Sequence, residues 1–252
     1  MKVVTDISHY EAIAQAIQDN HNMSFTYTPS EMAGGVYSVA EYKYSSGYND
    51  GLEAGVVQGR QAEYDEFWDD MQSNGAVKSY MRCFQGNLWT DNTFNPKYNI
   101  VTTNLQATFY NNSKITRIPV LVDISGVTNS TYTSQSFYAC SSLQKLSLKI
   151  AETTPWNSNT FNGLTALKEI AIEGTIGQQN FDLRWSVRLS KDSLLSILNA
   201  CNGTTHTDTI TITLPPRCID NDTRTETYIT NDTELSTALA NARNKNYSIV
   251  YG

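Results

Sequence analysis

The chain has 252 residues, 40% hydrophobic and 17% charged, which is enough apolar material for one large domain or two small ones. Its 18 basic and 25 acidic side chains give a net charge of −7, and that excess of acid argues against a general nucleic-acid phosphate binder. The charge is uneven: residues 1–75 hold 3 basic and 12 acidic side chains, net −9, and the remaining 177 hold 15 and 13, net +2.

The opening MKVVTDISHYEAIAQAI lacks the uninterrupted apolar run of a secretory signal, and no stretch approaches a membrane-spanning length. Neither export by that route nor membrane insertion is expected. Ser8-His9-Tyr10-Glu11 forms a capping box, and Ile13 and Ile17 then make one apolar edge, which predicts a short amphipathic helix over about 9–19. Thr28-Pro29-Ser30-Glu31 repeats the start signal, and Gly34-Gly35 ends it. Residues 1–40 therefore read as a helical anchoring or assembly module in need of a partner surface.

Gly47, Gly51, Gly55 and Gly59 recur every four residues. Inside a helix they would cost about 4 kcal/mol relative to alanine. Two readings stay open: a close-packed stripe in a homo-oligomeric bundle, or a flexible linker. Tyr64, Trp68 and Met71 follow at helical spacing, with Glu63, Asp65, Glu66, Asp69 and Asp70 as the solvated side, so the second half of 41–75 is expected to be helical. The oligomerisation candidates are Gly47, Gly51, Gly55, Gly59, Tyr64 and Trp68.

Residues 76–180 carry a repeat, preceded by a cap region containing Tyr80, Phe84, Leu88 and Trp89. Phe109, Ile115, Ile118, Val120 and Val122 stand at offsets 0, 6, 9, 11 and 13. Phe137, Leu143, Leu146, Leu148 and Ile150 keep the same offsets, and so do Phe161, Leu167, Ile170 and Ile172, with only the last position departing. The copies start 28 and then 24 residues apart, inside the leucine-rich-repeat window. A weaker fourth copy, with Phe94, Ile100 and Leu105, is expected before them, broken at Thr103. Alternation at the later offsets predicts a short strand with one buried face, and a single coil has too few anchors to stand alone. The expected fold class is α+β: a solenoid of stacked coils with short parallel strands, a helical N-terminal segment and an α+β C-terminal cap.

The run Phe137-x-x-Cys140-Ser141-Ser142-Leu143-x-x-Leu146-x-Leu148 resembles the leucine-rich repeats of the BspA-like bacterial surface-antigen class. That resemblance covers about residues 80–185 and implies that Cys140 is a buried spacer. Ile13–Ile17 with Tyr27–Ala33 resembles a short module of tail and minor structural proteins in phages and prophages of gut Firmicutes. Gly47–Asp70 resembles the tract that joins that module to such repeats, and GTIGQQNFDLRWS running into LSKDSLLSILNA resembles their ending.

Residues 181–252 read as the C-terminal cap, continuous with the repeat sheet. Ser190 is expected to cap a helix bearing Leu194, Leu198 and Cys201, stopped by a left-handed Asn202-Gly203. Ile210, Ile212 and Leu214 predict a strand. Asn231 and Glu234 open a last helix with Leu235, Ala238, Leu239 and Ala242, and NYSIVYG closes the chain as a strand.

No nucleotide-binding, zinc-protease or serine-hydrolase motif occurs. Cys83, Cys140, Cys201 and Cys218 lie far apart in sequence and read as free thiols, not as a disulfide scaffold or metal site. His206-x-Asp208 is a poor base pair because it opens a strand. Asp220–Glu226 lacks the glycine of a calcium loop. No catalytic residue, metal or cofactor is expected. Lys145, Lys149, Lys168, Arg184 and Arg188 could line one ligand-facing surface or be solvated decoration. The resemblance implies a non-enzymatic virion protein of the tail, baseplate or fibre class, binding other virion proteins or a host-surface protein or glycan. A BspA-like cell-surface adhesin is the alternative, and a carbohydrate-active enzyme would need paired carboxylates that the repeat does not offer.

Overall fold

The computed structural model describes residues 80–252 apart from 88, 93, 95 and 97, and all of them belong to one compact unit, Leu52–Gly252. The helices expected within 1–75, with Gly47, Gly51, Gly55, Gly59, Tyr64 and Trp68, lie outside the described residues, as does Leu88. The described chain is a mixed α/β structure in which two sheets are wholly parallel and a third is a short antiparallel pair.

The first sheet has the order β1 (Ile100–Val101), β2 (Arg117–Asp123), β3 (Lys145–Lys149) and β4 (Glu169–Glu173). Between strands the chain returns through a limb of tight turns, and that limb also stacks in register. The Phe84 N–H donates to Thr108 O at 2.8 Å, Phe109 N–H to Ser136 O at 2.9 Å, and Phe137 N–H to Thr160 O at 3.0 Å. Arg82, Ala107 and Gln135, two residues before these phenylalanines, all have φ between 51° and 57°. Two residues after the ring, Gly86, Asn111, Ala139 and Gly163 are left-handed too. Each left-handed non-glycine costs about 1–2 kcal/mol. One buried phenylalanine contributes about 1.5–3 kcal/mol, so a single pass scarcely offsets its own turns. Stacking supplies the remainder, because it satisfies the turn backbone and lines the rings up.

The rings form a spine. Phe109 stacks on Phe137 at 5.4 Å and 10°, and Phe137 on Phe161 at 5.8 Å and 2°. Phe84, Trp89 and Phe94 close one end edge-on, and Trp156 and Phe181 close the other. Three residues after their phenylalanines, the passes of Phe109, Phe137 and Phe161 aim a side chain inward. The Asn112 amide donates to Phe84 O at 3.3 Å, and the Cys140 thiol donates to Phe109 O at 2.9 Å. Leu164 holds that place in the next pass, fully buried.

Three expectations about register need correction. The β2–β3 pairing starts at Arg117↔Lys145 and resumes at Leu121↔Ser147, so β2 spends two extra residues in an irregularity at Pro119-Val120. Val122, not Val120, lies opposite Leu148, and Val120 is only half-buried. Secondly, Ile100 pairs with Val122, which places it at the strand position of Leu148 and not six residues after a copy start. The first pass begins at Phe84, within the segment expected to be only a cap. Thirdly, Ile172 is half-buried because β4 ends the sheet and has a helix, not a further strand, on its outer flank. The departing last position of the third copy is Gly174, at φ 109°, where an added Cβ would collide with the Ile150 carbonyl.

The C-terminal part does not continue that sheet. After β4 comes β5 (Phe181–Asp182), then helix α1 (Lys191–Ala200), whose Ser193 and Ser196 hydroxyls accept the outward N–H groups of Ile170 and Ile172 at 2.9 and 2.8 Å. Those hydroxyls occupy the edge that another strand would need. A second parallel sheet forms instead, in the order β5, β6 (Ile210–Leu214), β9 (Tyr247–Tyr251). Between β6 and β9 lie β7 (Arg217–Cys218), a single turn α2 (Ile219–Asp222), β8 (Thr223–Arg224), α3 (Thr225–Asn231) and α4 (Thr233–Asn244).

Ser190 caps α1 as expected. Asp232, not Asn231, caps α4, accepting from the N–H groups of Glu234 and Leu235 because its carboxylate sits at the residue that leaves the helix. Gly203 is not a left-handed stop: α1 ends at Cys201, with φ −84°. The glycine is needed for close approach, since a Cβ there would collide with Thr175 and the Glu152 carboxylate.

The register shift in β2 predicts unequal effects for two valines. Val122→Ala should lower unfolding free energy by about 1.5–3 kcal/mol, whereas Val120→Ala should cost under about 1 kcal/mol. Urea titrations of the two variants check this.

Candidate binding face

The outward side of the first sheet presents three lateral rows set by strand register. Arg117, Lys145 and Glu169 form one row, Leu121, Ser147 and Ala171 the next, and Val101, Asp123, Lys149 and Glu173 the third. Opposite charges therefore meet at Lys145 and Glu169 and along Asp123, Lys149 and Glu173, while Arg117 stands beside Lys145. Lys145 Nζ lies 2.8 Å from Glu169, and Lys149 Nζ lies 3.4 Å from Asp123 and 3.8 Å from Glu173. Such exposed pairs contribute about 0–1 kcal/mol each, so their main effect is to fix a charge pattern on the sheet face. Between the charged rows runs a shallow strip of small or short side chains, and Val101 at one edge is 59% exposed.

Asp123 is the most constrained group on this face. Burial pushes its carboxyl up, but the Ser125 hydroxyl at 2.6 Å, the Ser125 N–H at 3.0 Å and the Lys149 ammonium together pull it further down. Its pKa ends below the ordinary aspartate value.

The five basic candidates are not brought into one patch. Lys145 and Lys149 share the sheet face. Lys168 pairs with Asp220 at 3.8 Å and Arg184 with Asp182 at 2.6 Å, both in the C-terminal part, where Arg188 is also exposed. Sequence reasoning did not single out Leu121, Ser147 or Ala171, which come together only through pairing across strands. Nor did it single out Trp185, which is 49% exposed.

The four cysteines are free thiols, three of them buried. Burial pushes Cys140 and Cys201 up to about 12 and raises Cys218, which removes them from thiolate chemistry at neutral pH. His206 does not engage Asp208. Tyr247 Oη donates to Ile176 O at 2.7 Å, so His206 Nε2, 2.9 Å from that oxygen, donates to it. Glu152 accepts from the Thr204 N–H and hydroxyl at 3.1 and 2.7 Å, and these bonds hold its carboxyl below the usual range. The cluster ties the chain after β3 to the loop after α1 and to β9.

Ile219–Asn221 is a left-handed turn, and no group of three or more potential metal ligands occurs among the described residues. The interior cavity lined by Phe109, Asn112, Ile115, Ile118, Cys140 and Leu143 has no room for a water molecule. No described helix is long and apolar enough to cross a membrane. No protein-family model, curated protein or solved structure matches the chain.

Because Asp123 has a lowered pKa in the folded state, the stability it contributes is present above about pH 4 and lost as pH falls through its own value. Asp123→Asn should therefore lose less stability than the parent chain between about pH 5 and about pH 2. Thermal melts across that range measure the difference, and parallel curves would refute the assignment.

Proposed function

We propose that this chain is a non-enzymatic virion protein of a phage or prophage, of the tail, baseplate or fibre class. In this reading the stacked passes are a leucine-rich-repeat solenoid, and the outward sheet face contacts a virion protein or a host-surface protein or glycan. The acidic N-terminal segment anchors the chain in the particle or brings copies together. The virion assignment is supported by the sequence resemblance of the N-terminal module and of the repeats.

The binding role is supported chiefly by the sheet face itself. Side chains from three strands stand in lateral register, and their charges, Arg117 apart, are paired with one another across the strands. A surface of this kind offers a fixed pattern of side chains, which suits recognition of another macromolecule. The carboxylates Asp123, Glu169 and Glu173 each hold a lysine, which suits them to patterning more than to acid–base work.

Two measurements test the proposal. Mass spectrometry of purified particles should find the chain in virions; finding it on uninfected cells and not in particles would overturn the virion part. Lys145→Glu combined with Lys149→Glu should reduce retention of the purified chain on intact host cells or on particles lacking it by about tenfold. Retention equal to that of the parent chain would remove the sheet face from the proposal.

A further inference from the structure

One corner of the C-terminal part breaks several local rules together. β7 and β8 are a two-residue antiparallel pair in which Arg217 stands directly opposite Arg224, both exposed. Like charges in that position repel. Arg224 is also the N-cap residue of α3 and makes no capping bond, at a place that Ser, Thr, Asp or Asn usually fills. Among the described residues, the ion pairs of this region are Lys168–Asp220 and Arg184–Asp182, so Arg188, Arg217 and Arg224 make no ion pair. Arg217 Nη1 reaches only a backbone acceptor, Asp222 O, at 3.0 Å.

The turn that joins the two arginines is strained. Ile219, Asp220 and Asn221 have φ of 54°, 56° and 67°, and a β-branched residue is a rare occupant of that region. The turn is held by Ile219 N–H donating to Leu189 O and Asn221 N–H donating to Val187 O. These two bonds set Arg188 opposite Asp220 and bring the segment after Trp185 against the arginine hairpin. Trp185 is 49% exposed, whereas Trp89 and Trp156 are 3% and 2% exposed. A wide aromatic ring open to water thus lies two residues before the segment that is bonded to the turn between Arg217 and Arg224, and none of Arg188, Arg217 and Arg224 makes an ion pair.

We propose that this corner binds an anionic glycan. A guanidinium presents a planar fork that fits a carboxylate or a phosphate, and an anion lying between Arg217 and Arg224 converts their repulsion into a bridge. The open indole offers its face to the C–H face of a sugar ring, and Arg188 takes a second charge further along the polymer. An acidic peptide is the less suitable occupant, because peptides dock through a free strand edge or an apolar groove, and this hairpin has two residues per strand. The site is separate from the sheet face and does not depend on the virion reading.

The test uses the full chain and four probes: hyaluronan oligomers bearing carboxylates, poly(glycerol phosphate) bearing phosphates, uncharged dextran, and a synthetic peptide of residues 61–72. Calorimetry should show binding of at least one charged polymer, weakened by added salt. Arg217→Gln with Arg224→Gln should lower that affinity at least about tenfold, as should Trp185→Ala, while Lys114→Gln leaves it unchanged. The double arginine variant should melt at the same temperature as the parent or higher, since it relieves the cross-strand repulsion, so an affinity loss cannot be ascribed to unfolding. Which charged polymer binds identifies the acid group. The proposal is overturned if neither binds, if dextran binds as tightly, if the variants bind like the parent, or if only the acidic peptide binds.

Discussion

Every pass of this chain leaves a row of peptide groups facing the next pass, on the strand side and on the turn side alike, and the rest of the structure follows from satisfying both rows at once. Buried peptide groups without partners cost about as much as a buried side chain gains. Meeting the turn-side row forces left-handed residues on either side of Phe84, Phe109 and Phe137 and after Phe161. Those residues are unfavourable singly, so the arrangement holds only when neighbouring passes repeat it. The ring spine from Phe84 to Phe181 is the apolar counterpart of the same constraint: rings recur at the height at which the peptide groups do.

The same constraint explains how the stack ends. A parallel sheet has open edges, and the last one, β4, is closed by side-chain hydroxyls of α1 instead of by a strand. The device recurs in miniature elsewhere. The Asp91 carboxylate accepts the Thr116 N–H where Thr116 and Gln144 supply backbone carbonyls to the following passes. The Gln179 amide both accepts from Thr211 N–H and donates to Thr209 O, like an added residue of strand alongside β6. Polar side chains thus stand in for backbone wherever the regular pattern stops, and the second sheet starts afresh beyond them.

Much of this architecture was legible because its period is short and its anchors are large. Phe109, Phe137 and Phe161 with Ile118, Leu146 and Ile170 mark the inward positions by size alone, and all six are buried. Irregularities were illegible for the same reason that they are tolerated. Val120 and Val122 are the same residue type two positions apart, so spacing could not reveal which one faces inward once β2 gains two residues. Phe84 was hidden because its pass lacks aliphatic residues at the expected offsets and uses Trp89 and Phe94 instead. The sheet face was half legible: alternation shows that Lys145 and Lys149 point outward, but their neighbours Glu169 and Asp123 are settled only by cross-strand register. The arginine corner left no periodic trace: Asp220-Asn221-Asp222 marks a turn, but nothing in it shows that the turn sets Arg217 opposite Arg224.

The two exposed surfaces therefore differ in kind. On the sheet face Lys145 and Lys149 are neutralised by carboxylates of neighbouring strands, so a partner must compete with pairs already made. At the arginine corner the arginines make no ion pair, the turn between them is strained, and an indole is open to water; each is unfavourable in the isolated chain. Repulsion between Arg217 and Arg224 is relieved by a bound anion, since neither makes an ion pair of its own: Asp220 is turned to Lys168, and Asp222 meets Arg217 through its backbone carbonyl. A net charge of +2 over residues 76–252 conceals that difference. What matters for recognition is where charge is left unpaired: on the sheet that is Arg117 alone among the charged residues of the three rows, and at the hairpin of β7 and β8 it is both facing arginines.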